Sequence, residues 1–445
     1  MTRKIISQAT SRTATRNAVL VVLIALTAIL SGSCATSRNS ASRLEKESKS
    51  AEIGNTLRHD YFFHEAVKQA TAQNYPEAFE LMRYCIEADS TSAPAKYHLA
   101  LYYMLLKDKY MPEKLLVEAV AQDPDNYWYR MLLASQYTTV SKLDNAIQVY
   151  EEIARRFPER TIILLQLAEM YDEIGQYEKE LHALNRYGRL EDVSDKLSSQ
   201  RFLCYLQMEK YDSAYFEVAP SAALTIEALM NSVNNRQGLD ILMRFCTVVE
   251  KYDPSLWQTY KYLAIAHFQI KNEDEAFDMI DRGLRNVTDS IGISSLYSIR
   301  GEFYHELDRM DLTYKDYDSA LKYNPNDISL LNNYAYFLSL ENRDLKRAQK
   351  MSSVAVNKEP DNPTYLDTYA WILFKQSQYS EALKYIQQAM EKGGEEHPDV
   401  VEHCGDIYYQ CGYKEKALEY WHAAVRLNSD SKLLEQKILQ EKYIE

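Results

Sequence analysis

The chain contains few glycines and prolines for its length. Its 445 residues include only 12 Gly and 11 Pro, whereas a sheet-rich fold needs many turns built from these two residue types. Hydrophobic residues make up 46% and charged residues 26% of the sequence, which is enough for two or three ordinary domains or for one long repeat array. The composition therefore predicts an all-α protein.

Cations are fewer than acids, with 51 Lys and Arg against 64 Asp and Glu. The formal net charge is -13, and residues 1–33 hold four cations and no acid, so the rest of the chain is more acidic still. Because nucleic-acid binding depends on clustered Lys and Arg, we predict no nucleic-acid partner. Tyrosine is abundant instead, with 36 residues, and in a helical protein these rings fill the contacts between helices while their hydroxyls reach water.

No catalytic or metal-binding motif stands out. His305 and Glu306 begin like a zinc-protease helix, but Arg309 occupies the place of the second histidine. The acidic turns 123–126 and 324–327 lack the bidentate acid of a calcium loop and are expected to be polar turns between repeats. We therefore expect no enzyme activity, no cofactor, no metal site and no small-molecule substrate. One further set of His and Cys residues fits no known ligand spacing: His397, His403, Cys404, Cys411 and His422.

Residues 1–33 have the order of an export signal. A basic segment precedes the uninterrupted apolar run 18–30, which ends in the small residues Ser31, Gly32 and Ser33. As a helix this run would be about 20 Å long at the α-helical rise, against a hydrocarbon core of roughly 30 Å. We therefore predict a cleaved signal peptide, and an uncleaved membrane-spanning helix is the weaker alternative.

A cysteine follows this signal directly. The stretch LSGSC, which ends at Cys34, resembles the bacterial lipoprotein signal, in which a lipidated cysteine becomes the first residue of the mature protein; the usual leucine three places before it is Ser31 here. The resemblance implies acyl chains such as palmitate on Cys34, which would hold the protein on a membrane. In such lipoproteins an aspartate directly after the cysteine can signal retention in the inner membrane, and this chain has Ala35 there. The resemblance therefore implies an outer-membrane lipoprotein with its body in the periplasm. Ordinary cleavage near Ser33 or Ala35 is the alternative.

From about Leu57 onward the sequence repeats with one period of 34 residues. Within a unit, Leu133 and Tyr137 share one face of a first helix, and Ala146 and Tyr150 share one face of a second. Small residues let the two helices approach closely, and a proline such as Pro158 ends the second helix. The period recurs in two series at least: Ala66, Ala100, Ala134 and Ala168, and Tyr103, Tyr137, Tyr171 and Tyr205.

This pattern resembles the tetratricopeptide repeat, a 34-residue unit with the order Leu-Gly/Ala, Tyr, Ala, Phe/Tyr, Pro. The resemblance covers about residues 57–430 and implies a right-handed α-solenoid of about ten or eleven helix-turn-helix units. Matching stretches include Leu99-Ala100-Tyr103-Pro124, Leu167-Ala168-Tyr171-Gly175-Tyr177, Gly301-Tyr304-Ala320-Pro325, Tyr334-Ala335-Ala348-Pro360 and Gly405-Tyr408-Ala417-Trp421-Ala424.

The register of the repeat breaks once in the middle. Pro254 follows Pro158 by six residues fewer than three periods, so we place the loss near residues 220–235 and predict two blocks of repeats. A smaller irregularity at 286–292 lengthens one turn. The other five cysteines are expected to be buried small hydrophobic residues. The predicted organisation is a signal peptide over 1–33, lipidated Cys34 and a flexible linker over 34–56, repeat blocks over 57–219 and 220–430, and an amphipathic capping helix over 431–445.

The resemblance also implies a binding groove, because the first helix of each unit lines a concave surface where partner peptides lie. Each inward aromatic ring either faces this groove or packs against the neighbouring repeat. Cations there are few, chiefly Lys261 and Lys375, and only Asn332 and Asn333 match the Lys, Arg and Asn cluster that grips C-terminal carboxylates in some members, so that use is disfavoured. The register places these residues inward: Tyr97, Trp128, Phe268, Tyr336, Trp371, Phe374 and Tyr409, with the acids Glu169, Asp172, Glu302 and Asp406.

These features predict a membrane-anchored scaffold that binds other proteins in the bacterial cell envelope, in an assembly or secretion machinery. An aromatic and acidic groove suits a protein segment with apolar anchors and basic residues. Aromatic rings also stack on sugars, so an accessory subunit for enzymes acting on cell-wall polymer or glycan is one alternative. A regulator held by an uncleaved N-terminal helix is another.

Overall fold

The structure is a computed structural model that describes residues 43–428 and 431–444. These residues form α-helices and short 3-10 helices, without a strand among them, and the helices recur as helix-turn-helix pairs. The predicted all-α repeat fold is therefore confirmed. No helix of this part of the chain is both long enough and apolar enough to cross a membrane. The predicted signal peptide over 1–33 and the predicted lipidation of Cys34 lie outside the described residues.

The chain separates into two compact units that alternate between residues 222 and 242. The predicted block boundary at 219/220 stays a prediction. The first unit contains α1 (Arg43–Thr71), α2 (Tyr75–Ala88), α3 (Ala93–Leu105), α4 (Met111–Gln122), α5 (Tyr127–Thr139), α6 (Leu143–Arg156), α7 (Ile162–Glu173), α8 (Tyr177–Leu190), α9 (Ser198–Gln207) and α10 (Tyr211–Val218). Both units take residues from α11 (Ala222–Ser232) and α12 (Arg236–Tyr252). The second unit contains α13 (Trp257–Gln269), α14 (Glu273–Asn286), α15 (Ser290–Glu306), α16 (Met310–Tyr323), α17 (Ile328–Leu340), α18 (Leu345–Lys358), α19 (Pro363–Lys375), α20 (Tyr379–Glu391), α21 (Pro398–Gln410), α22 (Lys414–Arg426) and α23 (Leu434–Leu439).

The turn inside ten of the helix pairs repeats one backbone conformation. A residue with positive φ lies in this turn, and the distance from Glu209 to the next such turn residue, Lys271, is 62 residues, six fewer than two periods. The interval from Lys271 to Asp308 is 37 residues, so this unit is three residues longer than 34. Both departures match the irregularities read from the sequence. The turn residues are Gln73, Lys107, Ser141, Gly175 and Glu209, then Lys271, Asp308, Asn342, Ser377 and Gly412.

Small residues bring the paired helices together, as the sequence predicted. Ala134 and Ala146 are fully buried where α5 meets α6. At Gly301 a β-carbon would lie 2.6 Å from the ring of Tyr317, and at Gly405 it would lie 2.5 Å from the ring of Trp421. A large ring on the second helix therefore occupies the space that the missing side chain leaves on the first.

The acidic turns between repeats begin helices. Asn126 accepts hydrogen bonds from the backbone N–H groups of Trp128 and Tyr129 at 3.1 and 3.4 Å, and Asp327 accepts one from Leu330 at 3.0 Å. Such caps satisfy donors that have no partner within the first turn of a helix. The prediction that these segments are polar inter-repeat turns is confirmed.

The two ends of the array differ from the sequence prediction. Helix α1 begins at Arg43, inside the predicted flexible linker 34–56. The stretch RLEKESKSAEI is polar, as the linker prediction assumed, but many of its residues also have a high helix propensity. At the other end, the helix within 431–445 spans only Leu434–Leu439. The expected burial of the free cysteines is confirmed for Cys85, Cys204, Cys246 and Cys404, while Cys411 is half-buried.

Candidate partner-binding site

The first helices of the last three repeats carry their inward residues in rows. The period is 35 residues here, so equivalent positions on α17, α19 and α21 are neighbours. Each row crosses from one first helix to the next. The first row is polar and acidic, the second has two aromatic rings and an acid, and the third has a serine and two aromatic rings. The rows are Asn332, Asp367 and Glu402; Tyr336, Trp371 and Asp406; and Ser339, Phe374 and Tyr409.

A buried cluster, the acidic pocket, consists of Asp367, Trp371, Glu402, His403 and Asp406. The Nδ1 atom of His403 lies 3.0 and 3.1 Å from the two carboxylate oxygens of Asp367. The imidazole of His403 stacks on Trp371, with ring centroids 4.0 Å apart and 17° between the planes. The pocket therefore has a charged half, formed by Asp367 on α19 with Glu402 and Asp406 on α21, and an aromatic half, Trp371 on α19.

A cation from the end of the chain fills the charged half of this pocket. The Nζ atom of Lys437 donates to Glu402 at 2.8 Å and to Asp406 at 2.7 Å. All three side chains are removed from solvent, with exposed fractions of 4% for Lys437, 7% for Glu402 and 1% for Asp406. Ser431 donates to Glu402 at 2.8 Å, and the indole N–H of Trp421 donates to Asp406 at 2.8 Å. Buried charges of this kind require such complete pairing.

Burial and charge shift the titration of the pocket. Burial raises the pKa of Asp406 to about 6, against the opposing attraction of Lys437. Burial alone would lower the pKa of His403, but the Asp367 carboxylate and the other nearby acids raise it, and the net shift is upward. Burial, with Asp367 and other acids nearby, also raises the pKa of the Tyr336 hydroxyl. The pocket is thus an anionic environment that favours a bound cation.

Aromatic rings extend the pocket along α19 and α17. Phe374 stacks on Trp371, with ring centroids 4.8 Å apart and 10° between the planes. The ring centroid of Tyr336 lies 6.2 Å from that of His403. The ring of Tyr443, from the chain end, packs edge-on against Phe374 at 5.4 Å. The indole N–H of Trp371 is buried and has no hydrogen-bond acceptor among the described residues.

The seven predicted groove aromatics are not equivalent. Three of them, Tyr336, Trp371 and Phe374, meet around the acidic pocket. Tyr97 instead packs against Tyr129, with centroids 5.1 Å apart, and Phe268 stacks on Phe303 at 4.1 Å, so both belong to contacts between repeats. Their part in partner binding stays a prediction. Tyr97, Phe268, Trp371 and Phe374 are buried, while Trp128, Tyr336 and Tyr409 are half-buried.

The sequence-based prediction of the site did not include four of its residues: Asp367, Glu402, Lys437 and Tyr443. Asp367 precedes Trp371 by four residues, and Glu402 precedes Asp406 by four, so helical spacing placed each acid beside a residue already assigned to the groove. His403 appeared only within a rejected metal set, and the described residues contain no group of three or more potential ligands arranged to hold a metal ion. Lys437 carried one further signal, a charge on the apolar side of an amphipathic segment.

Comparison with known proteins relates the chain to tetratricopeptide repeat proteins. No protein-family model matches it. The chain is similar to tetratricopeptide repeat protein 21A of Mus musculus, with 22% identity over 320 residues, covering 67% of this chain and 22% of the relative. It is also similar to the TPR repeat-containing protein PA4667 of Pseudomonas aeruginosa, with 25% identity over 151 residues, covering 34% and 24%. The chain thus spans less than a quarter of the length of either relative.

Solved structures with a related arrangement include a subunit of the Cut9–Hcn1 hetero-tetramer of APC/C. It is 13% identical, covers 88% of this chain and 98% of its own, and superposes with a TM-score of 0.40. A tetratricopeptide repeat protein from Parabacteroides merdae is 12% identical, covers 62% and 96%, and has a TM-score of 0.32. The curated relatives agree with the family resemblance that the 34-residue period indicates.

Proposed function

We propose that this chain is a protein-binding scaffold of the bacterial cell envelope, whose second unit binds basic segments of partner proteins. The observation that carries the proposal is Lys437, a lysine buried between Glu402 and Asp406 beside a row of aromatic rings. The repeat fold and the similarity to tetratricopeptide repeat proteins support a role in protein interaction. In this role the protein binds partners and performs no chemistry on them.

The pocket explains what kind of partner side chain it accepts. Glu402 and Asp406 offer carboxylate oxygens to an ammonium or guanidinium group, and hydrogen bonds between charged groups are the stronger ones. Phe374 and Tyr336 provide apolar surface for an anchor residue next to the cation. The low dielectric of the buried site strengthens the charge interaction and penalises a neutral or acidic segment.

Membrane attachment completes the proposal. Acyl chains on Cys34 would fix the protein at the outer membrane and leave the helical array in the periplasm, where it would hold members of an assembly or secretion machinery. The support is the sequence at Cys34 and the basic and apolar segments before it.

Partner binding is tested by affinity capture of the tagged protein from its own membranes. The variant Glu402→Gln/Asp406→Asn removes both charges of the pocket with little change of volume, and we expect it to lose partners that the wild type retains. Glu419→Gln, an exposed acid on α22, is the matched control. Trp371→Ala is a poor test because the ring is buried and its loss leaves a cavity. If the wild type, Glu402→Gln/Asp406→Asn and Glu419→Gln all recover the same partners, the pocket has no role in binding them.

Anchoring is tested with labelled fatty acid. We expect incorporation into the wild type and none into Cys34→Ala, which should leave the membrane fraction. Equal incorporation into both proteins, or none into either, would refute the lipoprotein assignment.

A further inference from the structure

Three residues of the C-terminal segment, residues 431–444, contact the partner-binding site. Ser431 and Lys437 bind Glu402, Lys437 also binds Asp406, and Tyr443 packs on Phe374. These contacts are a hydroxyl, a cation and a ring, spaced six residues apart along the segment. The segment therefore has the chemistry that the proposed function assigns to a partner.

A structural cap alone does not require these contacts. Capping the last helix pair needs an apolar inner face, and Leu434 supplies it by packing into the core of the second unit. Lys437 and Tyr443 instead reach the first helices α21 and α19, on the side where partner segments are proposed to bind. Burying a lysine among carboxylates adds a desolvation cost that an apolar cap would avoid.

The segment is held by few groups. Leu434 and Lys437 are its only buried side chains among the described residues, Ile438 and Tyr443 are half-buried against the core of the second unit, and Leu439 is 84% exposed. Its helix α23 has six residues, which is shorter than an isolated helix can be and remain stable. Segments with so little buried apolar contact open more easily than the core of a protein does.

Removal of the segment takes Lys437 away from the buried carboxylates of the acidic pocket. Without Lys437, the acidic pocket holds Asp367, Glu402 and Asp406 with His403 as its remaining basic group. Uncompensated buried carboxylates are strongly unfavourable. A partner that supplies its own lysine restores the pairing, whereas a neutral partner does not.

We infer that residues 431–444 are an internal ligand of the acidic pocket, which a partner segment displaces by inserting a lysine between Glu402 and Asp406 and an aromatic ring, six residues later, against Phe374. This inference rests on the proposed function, because it names the partner's recognition elements and the step that controls access to the same site. The occupant in the free protein is the chain's own segment.

A labelled peptide with the sequence SKLLEQKILQEKYIE, residues 431–445, tests the inference when titrated into the full chain by fluorescence anisotropy. We expect weak binding to the wild type, whose pocket is filled, and at least tenfold tighter binding to Lys437→Glu, whose segment is repelled by the acids. Lys442→Glu, an exposed lysine of the same segment, is the matched control and should bind as weakly as the wild type. A peptide carrying alanine in place of its central lysine should not bind, and neither should a Lys437→Glu chain that also carries Glu402→Gln/Asp406→Asn.

Hydrogen exchange separates release of the segment from unfolding of the unit. In Lys437→Glu and in the volume-conserving Lys437→Met, amides 431–444 should lose protection while α17, α19 and α21 keep theirs. Loss of protection through α19–α22 in both variants would show that the segment is a structural cap, and would overturn the inference. Equal peptide affinity of the wild type and the Lys437→Glu chain would overturn it as well.

The outcomes also distinguish this inference from the proposed function. If the opened variants bind the peptide but membrane capture finds no partner that depends on Glu402 and Asp406, the internal ligand stands and the scaffold role fails. If such partners exist but the segment stays protected in both Lys437 variants, the scaffold role stands and the internal ligand fails.

Discussion

His403 joins the charged and aromatic halves of the acidic pocket. Its imidazole binds Asp367 through Nδ1 and stacks on Trp371, and Lys437 neutralises the acids on the same helix. Burial lowers the pKa of His403, but Asp367, Asp406 and Glu402 together outweigh it, so this pKa lies above its ordinary value in the folded protein. One buried histidine thus makes the stability of this region depend on pH.

We predict that His403 stabilises the fold more at acidic than at alkaline pH. Since its folded-state pKa is above the ordinary value of 6.5, its contribution is complete below pH 6.5 and is lost as the pH rises through the raised value. The difference in Tm between the wild type and His403→Gln should therefore shrink between pH 6 and pH 9. A difference that stays constant across this range would mean that folding does not raise the pKa of His403.

At the scale of the helix pair, glycine and alanine on the first helix set the distance to the second. Gly301 on α15 faces the ring of Tyr317 on α16, and that ring is fully buried, so it cannot move aside. The same arrangement recurs with Gly405 and Trp421. The repeat depends on these positions because close-packed interiors have little room to relax.

We predict that Gly301→Ala lowers the free energy of unfolding by about 1–3 kcal/mol, because the new methyl group overpacks the contact with Tyr317. Gly54→Ala is the control, since its β-carbon would meet nothing within 4 Å on helix α1. There the substitution should stabilise the helix by up to about 1 kcal/mol, because alanine has the higher helix propensity. Denaturant unfolding measures both; equal signs for the two variants would contradict the packing account.

At the scale of the whole molecule, the repeats within each unit contact their neighbours along the chain. Such arrays have no single central core, so their stability is approximately a sum of terms for each repeat and for each interface. Damage to one repeat is therefore expected to remain near its origin.

We predict that Ala134→Leu, which overpacks a fully buried position between α5 and α6, destabilises these two helices and their immediate neighbours but not distant repeats. Hydrogen exchange should accelerate in α4–α7, while α17–α22 of the second unit keep wild-type protection. Faster exchange throughout both units would show instead that the array unfolds as one cooperative body.

The sequence by itself determined the fold, because the same pattern of residues recurs in each repeat and predicts the same helix pair each time. The 34-residue period, the small residues at Ala134, Gly301 and Gly405, and the polar turns could all be read from spacing and residue type. The shortened and lengthened units were also visible as shifts of register. These features act within one helix pair, where sequence distance and spatial distance are both short.

Only the tertiary structure decided what the candidate site contains. Register assigned both Tyr97 and Trp371 to the inward side of their first helices, and both rings are buried. What packs opposite each ring differs from repeat to repeat, because Tyr97 meets Tyr129 while Trp371 stacks on His403. The contacts of Lys437 with Glu402 and Asp406 join residues more than 30 positions apart along the chain, and no periodic signal connects them. The sequence specified an array of similar repeats, and the tertiary packing of residues 431–444 placed Lys437 between Glu402 and Asp406 of the last repeat.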